Sequence, residues 1–434
     1  MSFKPVKNIA FVALASIILS ACNLMPNFGN SNKQVNLKFW GIWESPNVVN
    51  QLINDYKKTH PNVTIVYEQK SVEQYRESLQ TQIQSGKGPD VFVFHNTWVP
   101  MLGQELAEIP AKIITQADVK KDYYPTILND LRNSNKQLVG LPSGIDGLGL
   151  YWNQDLFNAA GITTPPSTWQ ELSQDAAKLT VKGPDGSIKT AGAALGTAAN
   201  IDHFSDILGM MILQNQGDIK NPTDQRSADT LDYYIKFAKG DNRVWDDAQP
   251  SSTIAFTGGH LAMYFGPSWR AAEVKTQNPA LNFKIAPVPQ LTSSNKVTWA
   301  SYWAFGVSSK SQNQEEAWQF VKFLEEDQSL IKLYAESAKE PGRIFGEPYP
   351  KISLAASLST DPYVGAFIQD AQFMQSFPMA SRTYDNGLND KIIQSYQTAV
   401  TGAVTGKTPS QAALKTAAAE IAQTFLKYTQ PQAK

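Results

Sequence analysis

A single cysteine stands near the start of the chain, and its neighbours indicate the chemistry it serves. Cys22 is the only cysteine among 434 residues. It follows Leu19-Ser20-Ala21, and before these come Lys4, Lys7 and an apolar run over residues 9–19. A charged start, a short apolar core and small residues are typical of a secretory signal, whereas a membrane-spanning helix needs about 20 apolar residues. The thiol is therefore predicted to be an attachment point.

The segment Leu19-Ser20-Ala21-Cys22 resembles the bacterial lipobox, whose cysteine becomes the lipid-modified first residue of the mature protein. The resemblance implies a lipoprotein signal peptide over residues 1–21 and a lipid, such as palmitate, on Cys22. Stable anchoring takes more than one acyl chain. Residues 22–34 are polar and turn-rich without a period, which predicts a flexible tether. The alternative is an ordinary signal with a chance cysteine.

No set of residues in the chain forms a recognisable catalytic or metal-binding motif. The four histidines lack paired metal spacing, and no nucleophile elbow is present. We therefore expect no enzyme, no catalytic residues, no metal and no cofactor. A glycosidase needs two opposed carboxylates, and Glu44 with Asp146 leaves that alternative open.

Length and charge limit the architecture and the partners. Removal of the first 21 of 434 residues leaves 413. A chain of this length exceeds what a single hydrophobic core usually supports, so two lobes are expected. The same removal takes away two lysines, which leaves 36 Lys and Arg against 39 Asp and Glu, a net charge of −3. The sequence has no basic stripe of the kind that would indicate nucleic acid as a partner.

Hydrophobic periodicity predicts an α/β fold. Alternation from Val35 predicts a strand, spacing from Val49 a helix, alternation from Val63 a second strand, and the unbroken apolar run over residues 91–94 a buried strand. Such an order with short connections implies mostly parallel sheets flanked by helices. Further along, Thr168-Trp-Gln-Glu171 predicts a capping box at the start of a helix.

Several segments, in order, resemble one protein family. The run from Phe256 to Trp269 resembles the segment that marks extracellular solute-binding proteins of the maltose-binding type (family 1), which feed ABC importers. Residues 88–92 are similar to the family's strand entering the cleft, and 140–153 and 283–289 resemble its two crossings between lobes. The likeness covers essentially everything from Val35 onward.

The resemblance implies a two-lobed periplasmic-binding-protein fold, hinged by crossing strands that let the lobes close around a solute. Lobe I is expected over residues 35–143 plus 284–327, and lobe II over 144–283 plus 328–434. The protein is expected to be a monomer anchored outside the cytoplasm to the bacterial cell membrane. Its expected partners are a small solute and the permease subunits of an ABC importer.

A sugar ligand sets the chemistry expected of the cleft. Pyranose C–H faces pack on aromatic rings, while hydroxyls need carboxylate, amide or guanidinium partners. Family positions of the cleft loops give these candidates: Trp43, Glu44, Phe94, Asn96, Trp98, Asp146, His203, Trp269, Tyr302 and Trp303. Trp169 and Trp318 lie on apolar helical faces and are assigned to the core. Ser301-Tyr302 replaces a glycine pair of the family, which predicts less room.

Other interpretations remain at this stage. Asp146 has an alternative role in bonding the crossing backbone beside Gly144 and Gly147. Arg343 and Arg382 could reach the solute or be surface charges. The same fold could bind a polyamine, a peptide-like solute or an anion, or serve a sensor. A surface adhesin would need neither hinge nor cleft.

Overall fold

The computed structural model describes residues 33–429, without the side chain of Thr429. The predicted signal peptide, Cys22 and the tether up to residue 32 lie outside the described residues, as do residues 430–434. Within the described part, none of the helices combines the length and the apolar character that a membrane span requires.

Twelve strands are described in the chain, and they form two five-stranded sheets and one two-stranded sheet. They are β1 (Val35–Gly41), β2 (Val63–Gln69), β3 (Val91–His95), β4 (Leu141–Pro142), β5 (Gly149–Asn153), β6 (Val181–Lys182), β7 (Ile188–Ala193), β8 (Leu261–Gly266), β9 (Phe283–Ala286), β10 (Thr298–Trp299), β11 (Trp303–Val307) and β12 (Met374–Gln375).

Sixteen α-helices are described around these sheets. They are α1 (Pro46–Thr59), α2 (Tyr75–Gln84), α3 (Gln116–Asp122), α4 (Pro125–Asp130), α5 (Gln154–Ala159), α6 (Trp169–Leu179), α7 (Phe204–Gln214), α8 (Gln225–Ile235), α9 (Ser252–Thr257), α10 (Arg270–Gln277), α11 (Gln314–Leu324), α12 (Asp327–Ser337), α13 (Ala355–Leu358), α14 (Gly365–Gln369), α15 (Leu388–Val404) and α16 (Ser410–Thr429).

The first lobe is built on the sheet β2-β1-β3-β11-β4. Strand β1 pairs in parallel with β2 and β3, while β11 runs antiparallel to both β3 and β4. All five residues of β3 are buried, because the sheet is covered on both faces. The two-lobed α/β fold is therefore present, but this sheet is mixed rather than mostly parallel, since β11 enters it on the return from the other lobe.

The second lobe is built on the sheet β6-β7-β8-β5-β9. Only β7 and β8 pair in parallel; β5 is antiparallel to β8 and β9. This sheet is thus mixed as well. The predicted lobe boundary at residue 284 falls inside β9, which pairs with β5.

Three segments meet between the two five-stranded sheets, and we call them the crossing segments: residues 143–148, 298–302 and 374–376. Gly147 and Ala300 form an isolated bridge, and the Ser301 amide donates to the Asp146 carbonyl at 2.9 Å. β10 pairs in parallel with β12. The paired backbone holds the two lobes together at this level.

Helices that follow the second crossing segment, 298–302, contact both lobes. Helix α12 packs on α1 of the first lobe, where Lys332 pairs with Asp55 at 2.5 Å. Helix α15 reaches the second lobe through Tyr396, whose hydroxyl donates to the Ile219 carbonyl at 2.7 Å. The predicted boundary after residue 327 falls at the start of α12.

Candidate ligand-binding site

A cavity of about 310 Å³ lies between the two lobes, a size within the range of small-molecule sites. Its walls come from the ends of strands and from the crossing segments. The residues that line the cavity include Trp43, His95, Asp146, His203, Asp206, Ser268, Trp269, Ser301, Tyr302, Trp303, Arg343, Phe345, Glu347, Ser381, Arg382 and Tyr384.

Two indoles, one from each lobe, are among the partly exposed aromatic walls of the cavity, together with Tyr384. Trp43 follows β1 of the first lobe and is 39% exposed; Trp269 follows β8 of the second lobe and is 44% exposed. Trp303 packs edge-to-face on Trp43, with ring centroids 5.4 Å apart. The Arg270 guanidinium lies 4.4 Å from the Trp269 ring. Apolar ring surface is therefore offered to a ligand from opposite lobes.

Asp146 ties a crossing segment to the loop that carries Trp269. Its Oδ1 accepts from the Gly147 amide at 2.8 Å, and its Oδ2 accepts from the Ser268 hydroxyl at 2.9 Å. The Ser268 amide also donates to this carboxylate, at 3.1 Å from Oδ1. Burial raises the pKa of Asp146 to about 7, against the opposing effect of these hydrogen bonds. The Asp146 side chain thus lines the cavity and also accepts hydrogen bonds from the backbone of the crossing segment.

His203 is an uncharged side chain that links Arg270 to Ser381 by hydrogen bonds. Arg270 Nε donates to His203 Nε2 at 3.1 Å, so Nδ1 carries the proton and donates to Ser381 Oγ at 2.7 Å. Burial, together with the charge of Arg270, holds the pKa of His203 well below its usual range. Both ring nitrogens are occupied, so His203 presents ring carbon to the cavity.

His95 has a matching role in the first lobe. Its Nδ1 accepts from the Thr97 amide at 3.4 Å, so Nε2 carries the proton and donates to Ser301 Oγ at 3.1 Å. Burial lowers the pKa of His95 to about 3. The ring packs edge-to-face on Trp303 at 5.2 Å. His95 is therefore uncharged, and it positions Ser301 and Trp303.

The two cavity arginines are already paired with carboxylates. Arg343 Nη1 lies 3.1 Å from Glu44 Oε1 and 3.5 Å from Glu347 Oε1. Arg382 Nη2 donates to Asp202 Oδ1 at 2.6 Å. Among the described residues that line the cavity, both arginines therefore have an anionic partner within the protein.

Four predicted site residues do not line this cavity. Glu44 points to Arg343 and to the Ser337 hydroxyl. Phe94 and Trp98 are fully buried in the core of the first lobe, because β3 and the turn after it are covered on both sides. Asn96 is buried and donates to Asp130 Oδ2 at 3.0 Å.

The other six predicted residues, Trp43, Asp146, His203, Trp269, Tyr302 and Trp303, do line the cavity. The Tyr302 hydroxyl donates away from it, to Asp130 Oδ2 at 2.9 Å. Sequence reasoning missed Ser268, Ser301, Phe345, Glu347, Ser381 and Tyr384. Usable signals existed for Ser268, which precedes Trp269 in the marker segment, and for Ser301, which precedes Tyr302; the loops with Phe345 and Tyr384 carry no periodic pattern.

Comparison with family models decides the class of protein. The model described as bacterial extracellular solute-binding protein matches residues 43–329. The chain belongs to this family. Its members are extracellular binding proteins for the substrates of ABC transporters and are not enzymes.

Individual relatives of this solute-binding protein are distant. A putative binding protein of Brucella abortus is 24% identical over 273 residues, which span 62% of this chain and 66%, just under two thirds, of that protein. The multiple sugar-binding protein of Streptococcus mutans is 22% identical over 361 residues, 76% of this chain and 81% of that protein. The structure of the sugar-binding protein MalE from Xanthomonas citri has a TM-score of 0.73 and 21% identity, and covers 91% of this chain and 98% of that chain. The predicted family of extracellular solute-binding proteins is confirmed by the family match, and the two-lobed fold by the structural likeness.

Proposed function

We propose that this solute-binding protein captures a neutral carbohydrate between its lobes and delivers it to an ABC permease. The observation that carries the proposal is the pair of partly exposed indoles, Trp43 and Trp269, facing one cavity from opposite lobes. Aromatic faces pack well on the C–H faces of a sugar ring. Closure of the lobes would place such a ring between the two indoles.

The charges of the cavity support a neutral ligand. Arg343 and Arg382 are each held by carboxylates, so an anionic ligand would have to break an existing ion pair. Burial keeps both cavity histidines neutral. The carboxyl of Asp146 is hydrogen-bonded by Gly147 and Ser268, which leaves little acceptor capacity for a polycation. The Streptococcus mutans and Xanthomonas citri proteins are described as sugar-binding, which agrees with a neutral carbohydrate as the ligand.

Lipid anchoring at Cys22 belongs to the same proposal. The sole cysteine follows Leu19-Ser20-Ala21 behind a signal-like segment. Expression in a bacterial host with labelled palmitate should give a labelled, membrane-associated protein, and Cys22→Ala should abolish the label. A labelled Cys22→Ala protein would contradict the anchor.

Calorimetric titration of the purified protein tests the ligand class. The panel holds neutral mono- and oligosaccharides, with a polyamine, a dipeptide and phosphate as comparators. We expect at least one saccharide to bind, and Trp43→Ala and Trp269→Ala each to weaken its affinity about tenfold or more, since each removes a stacking surface. Phe373→Ala is the matched control, because Phe373 is similarly exposed, at 40%, but lines no part of this cavity.

Binding of a comparator without any saccharide would overturn the carbohydrate assignment. Unchanged saccharide affinity in both tryptophan variants would overturn the stacking role, provided that thermal unfolding shows both variants to be folded.

A further inference from the structure

A second, smaller cavity lies beside the first, and we call it the side cavity. Its volume is about 40 Å³. It shares Trp43, Trp303 and Glu347 with the main cavity, so the two spaces meet at those side chains. The remaining walls are mostly core residues of the first lobe, among them Val49, Leu52, Val93, Phe305 and Leu333.

Several polar groups around the side cavity already have partners within the protein. The Tyr67 hydroxyl donates to the Glu44 carbonyl at 2.6 Å, and Ser143 Oγ donates to the Trp303 carbonyl at 3.0 Å. The Glu44 and Glu347 carboxylates both form ion pairs with Arg343, although Glu44 Oε1 accepts no hydrogen bond. A hydroxyl placed in this space would therefore find few hydrogen-bond partners, whereas a carbon group would meet mostly apolar walls.

The size of the space also calls for an explanation. Well-packed protein interiors keep few unfilled spaces larger than a water molecule. A volume of about 40 Å³ exceeds the roughly 10–15 Å³ that one water needs. A mostly apolar space of this size that adjoins the ligand cavity fits a small apolar group of the ligand.

We propose that the side cavity receives a methyl group of the bound sugar, so that the protein selects methyl-bearing sugars such as 6-deoxyhexoses. The inference rests on the proposed function, because the sugar ring itself would occupy the main cavity. The shared walls Trp43 and Trp303 would then contact both the ring and its methyl group. A hydroxymethyl group at the same place would bring a hydroxyl against mostly apolar walls.

Matched sugars test this selection by calorimetric titration. The pairs are L-rhamnose with L-mannose, L-fucose with L-galactose, D-quinovose with D-glucose, and glucose with its methyl glycosides. Within the pair that binds best, we expect the methyl-bearing member to bind roughly ten- to a hundredfold more tightly, the discrimination that an apolar pocket gives against an added hydroxyl or a missing carbon group.

A matched pair of variants ties that preference to the side cavity. Val49→Ile adds one carbon at a wall of the side cavity, and Val48→Ile adds the same carbon one residue earlier in α1, where Val48 is buried but lines neither cavity. Val49→Ile should lower the preference for the methyl-bearing sugar at least severalfold, and Val48→Ile should leave it unchanged. Val93→Ile, at another wall, serves if Val49→Ile does not fold.

The outcomes separate the two proposals. If no saccharide binds, the proposed function fails. If saccharides bind but no pair favours its methyl-bearing member, the proposed function survives and the side-cavity inference is overturned. A preference that both Val49→Ile and Val93→Ile leave intact would likewise overturn the inference, because it would then arise elsewhere.

Discussion

Glu325 is a buried carboxyl group outside the ligand site. It ends α11, is 2% exposed, and its Oε2 accepts from the Tyr123 hydroxyl at 3.1 Å. Burial raises the pKa of Glu325 to about 8, although the charge of Lys351 and the Tyr123 hydrogen bond act in the opposite direction. The folded protein therefore holds a proton there at neutral pH that the unfolded chain releases near its ordinary pKa of about 4.3.

This raised pKa predicts a pH dependence of stability. Between the two pKa values the folded state binds the extra proton, so the free energy of unfolding falls as pH rises and levels off above about pH 8. The fall is at most about 1.4 kcal/mol per pH unit. Between pH 7 and 8 the group contributes about 1 kcal/mol of this loss. Glu325→Gln, which stays neutral, should show a smaller fall in urea unfolding over this window.

Asp146, with its pKa raised to about 7, also loses a proton in this window, but it contributes equally to wild type and Glu325→Gln, so the difference between them reports Glu325. His95, with its pKa lowered to about 3, favours unfolding only below about pH 6.5. Glu326→Gln is the control, because Glu326 is exposed beside Glu325. Equal pH slopes in wild type and Glu325→Gln would contradict the assignment.

Sequence reasoning could place side chains at the cavity only where a loop follows a recognisable strand. Trp43 and Trp269 follow β1 and β8 and line the cavity as positioned. Trp98 also follows a strand, but its turn folds back into the core, where the indole packs edge-to-face on Trp303 at 5.3 Å. Loop direction depends on tertiary packing, and no local pattern encodes it. The sequence could not show that Arg343 is paired with Glu44 and Glu347, because ion pairs between distant segments leave no sequence signal.

Gly147 allows the crossing segments to approach one another. A methyl group at this position would overlap the carbonyl oxygen of Trp299 and approach Met374 Cε within 3.3 Å. The residue also bridges Ala300, so its backbone is fixed between the other two crossing segments. The glycine is required for this close approach, since the Trp299 carbonyl that a methyl group would overlap belongs to the paired backbone of β10 and β12.

Substitution of Gly147 should therefore disturb the hinge. Gly147→Ala is expected to lower the free energy of unfolding by about 1–3 kcal/mol, the usual cost of overpacking, and to weaken ligand binding because Asp146 and Ser301 lie beside it. Gly103→Ala is the control, since an added methyl there meets only the Val99 carbonyl at 3.7 Å. Chemical denaturation and calorimetry measure both effects. A Gly147→Ala protein as stable as Gly103→Ala would contradict the packing argument.

Local signals predicted single elements better than their arrangement. The Thr168–Glu171 capping box is present, with the Glu171 amide donating to Thr168 Oγ1 at 3.2 Å, because both partners lie within one turn. Trp169 and Trp318 are buried as the helical spacing predicted. The strand directions could not be inferred in the same way. β11 reaches β3 after a long excursion through the second lobe, and nothing local fixes its antiparallel direction.

The helices after the last crossing link the lobes as well. Asn389, in the first turn of α15, donates through Nδ2 to Thr97 Oγ1 of the first lobe at 2.8 Å, while Tyr396 of the same helix bonds to the second lobe. Arg76 Nε of α2 donates to the Asp385 carbonyl at 2.6 Å, just before α15. Any change in the angle between the lobes must therefore be accommodated at these contacts and at the crossing segments.

Ligand binding is expected to make the whole molecule more compact. The cavity lies between lobes joined by narrow paired segments, an arrangement suited to hinge closure. Small-angle scattering of the protein with a saturating saccharide should show a smaller radius of gyration than the protein alone, and a sugar that does not bind should leave the radius unchanged. A binding sugar that also leaves it unchanged would contradict closure.

A crystal structure with the tightest-binding saccharide tests the central claim most directly. The account predicts a sugar ring in the 310 Å³ cavity, in contact with the indoles of both Trp43 and Trp269. A saccharide bound elsewhere on the protein, or one held in the cavity without contact to either indole, would contradict it.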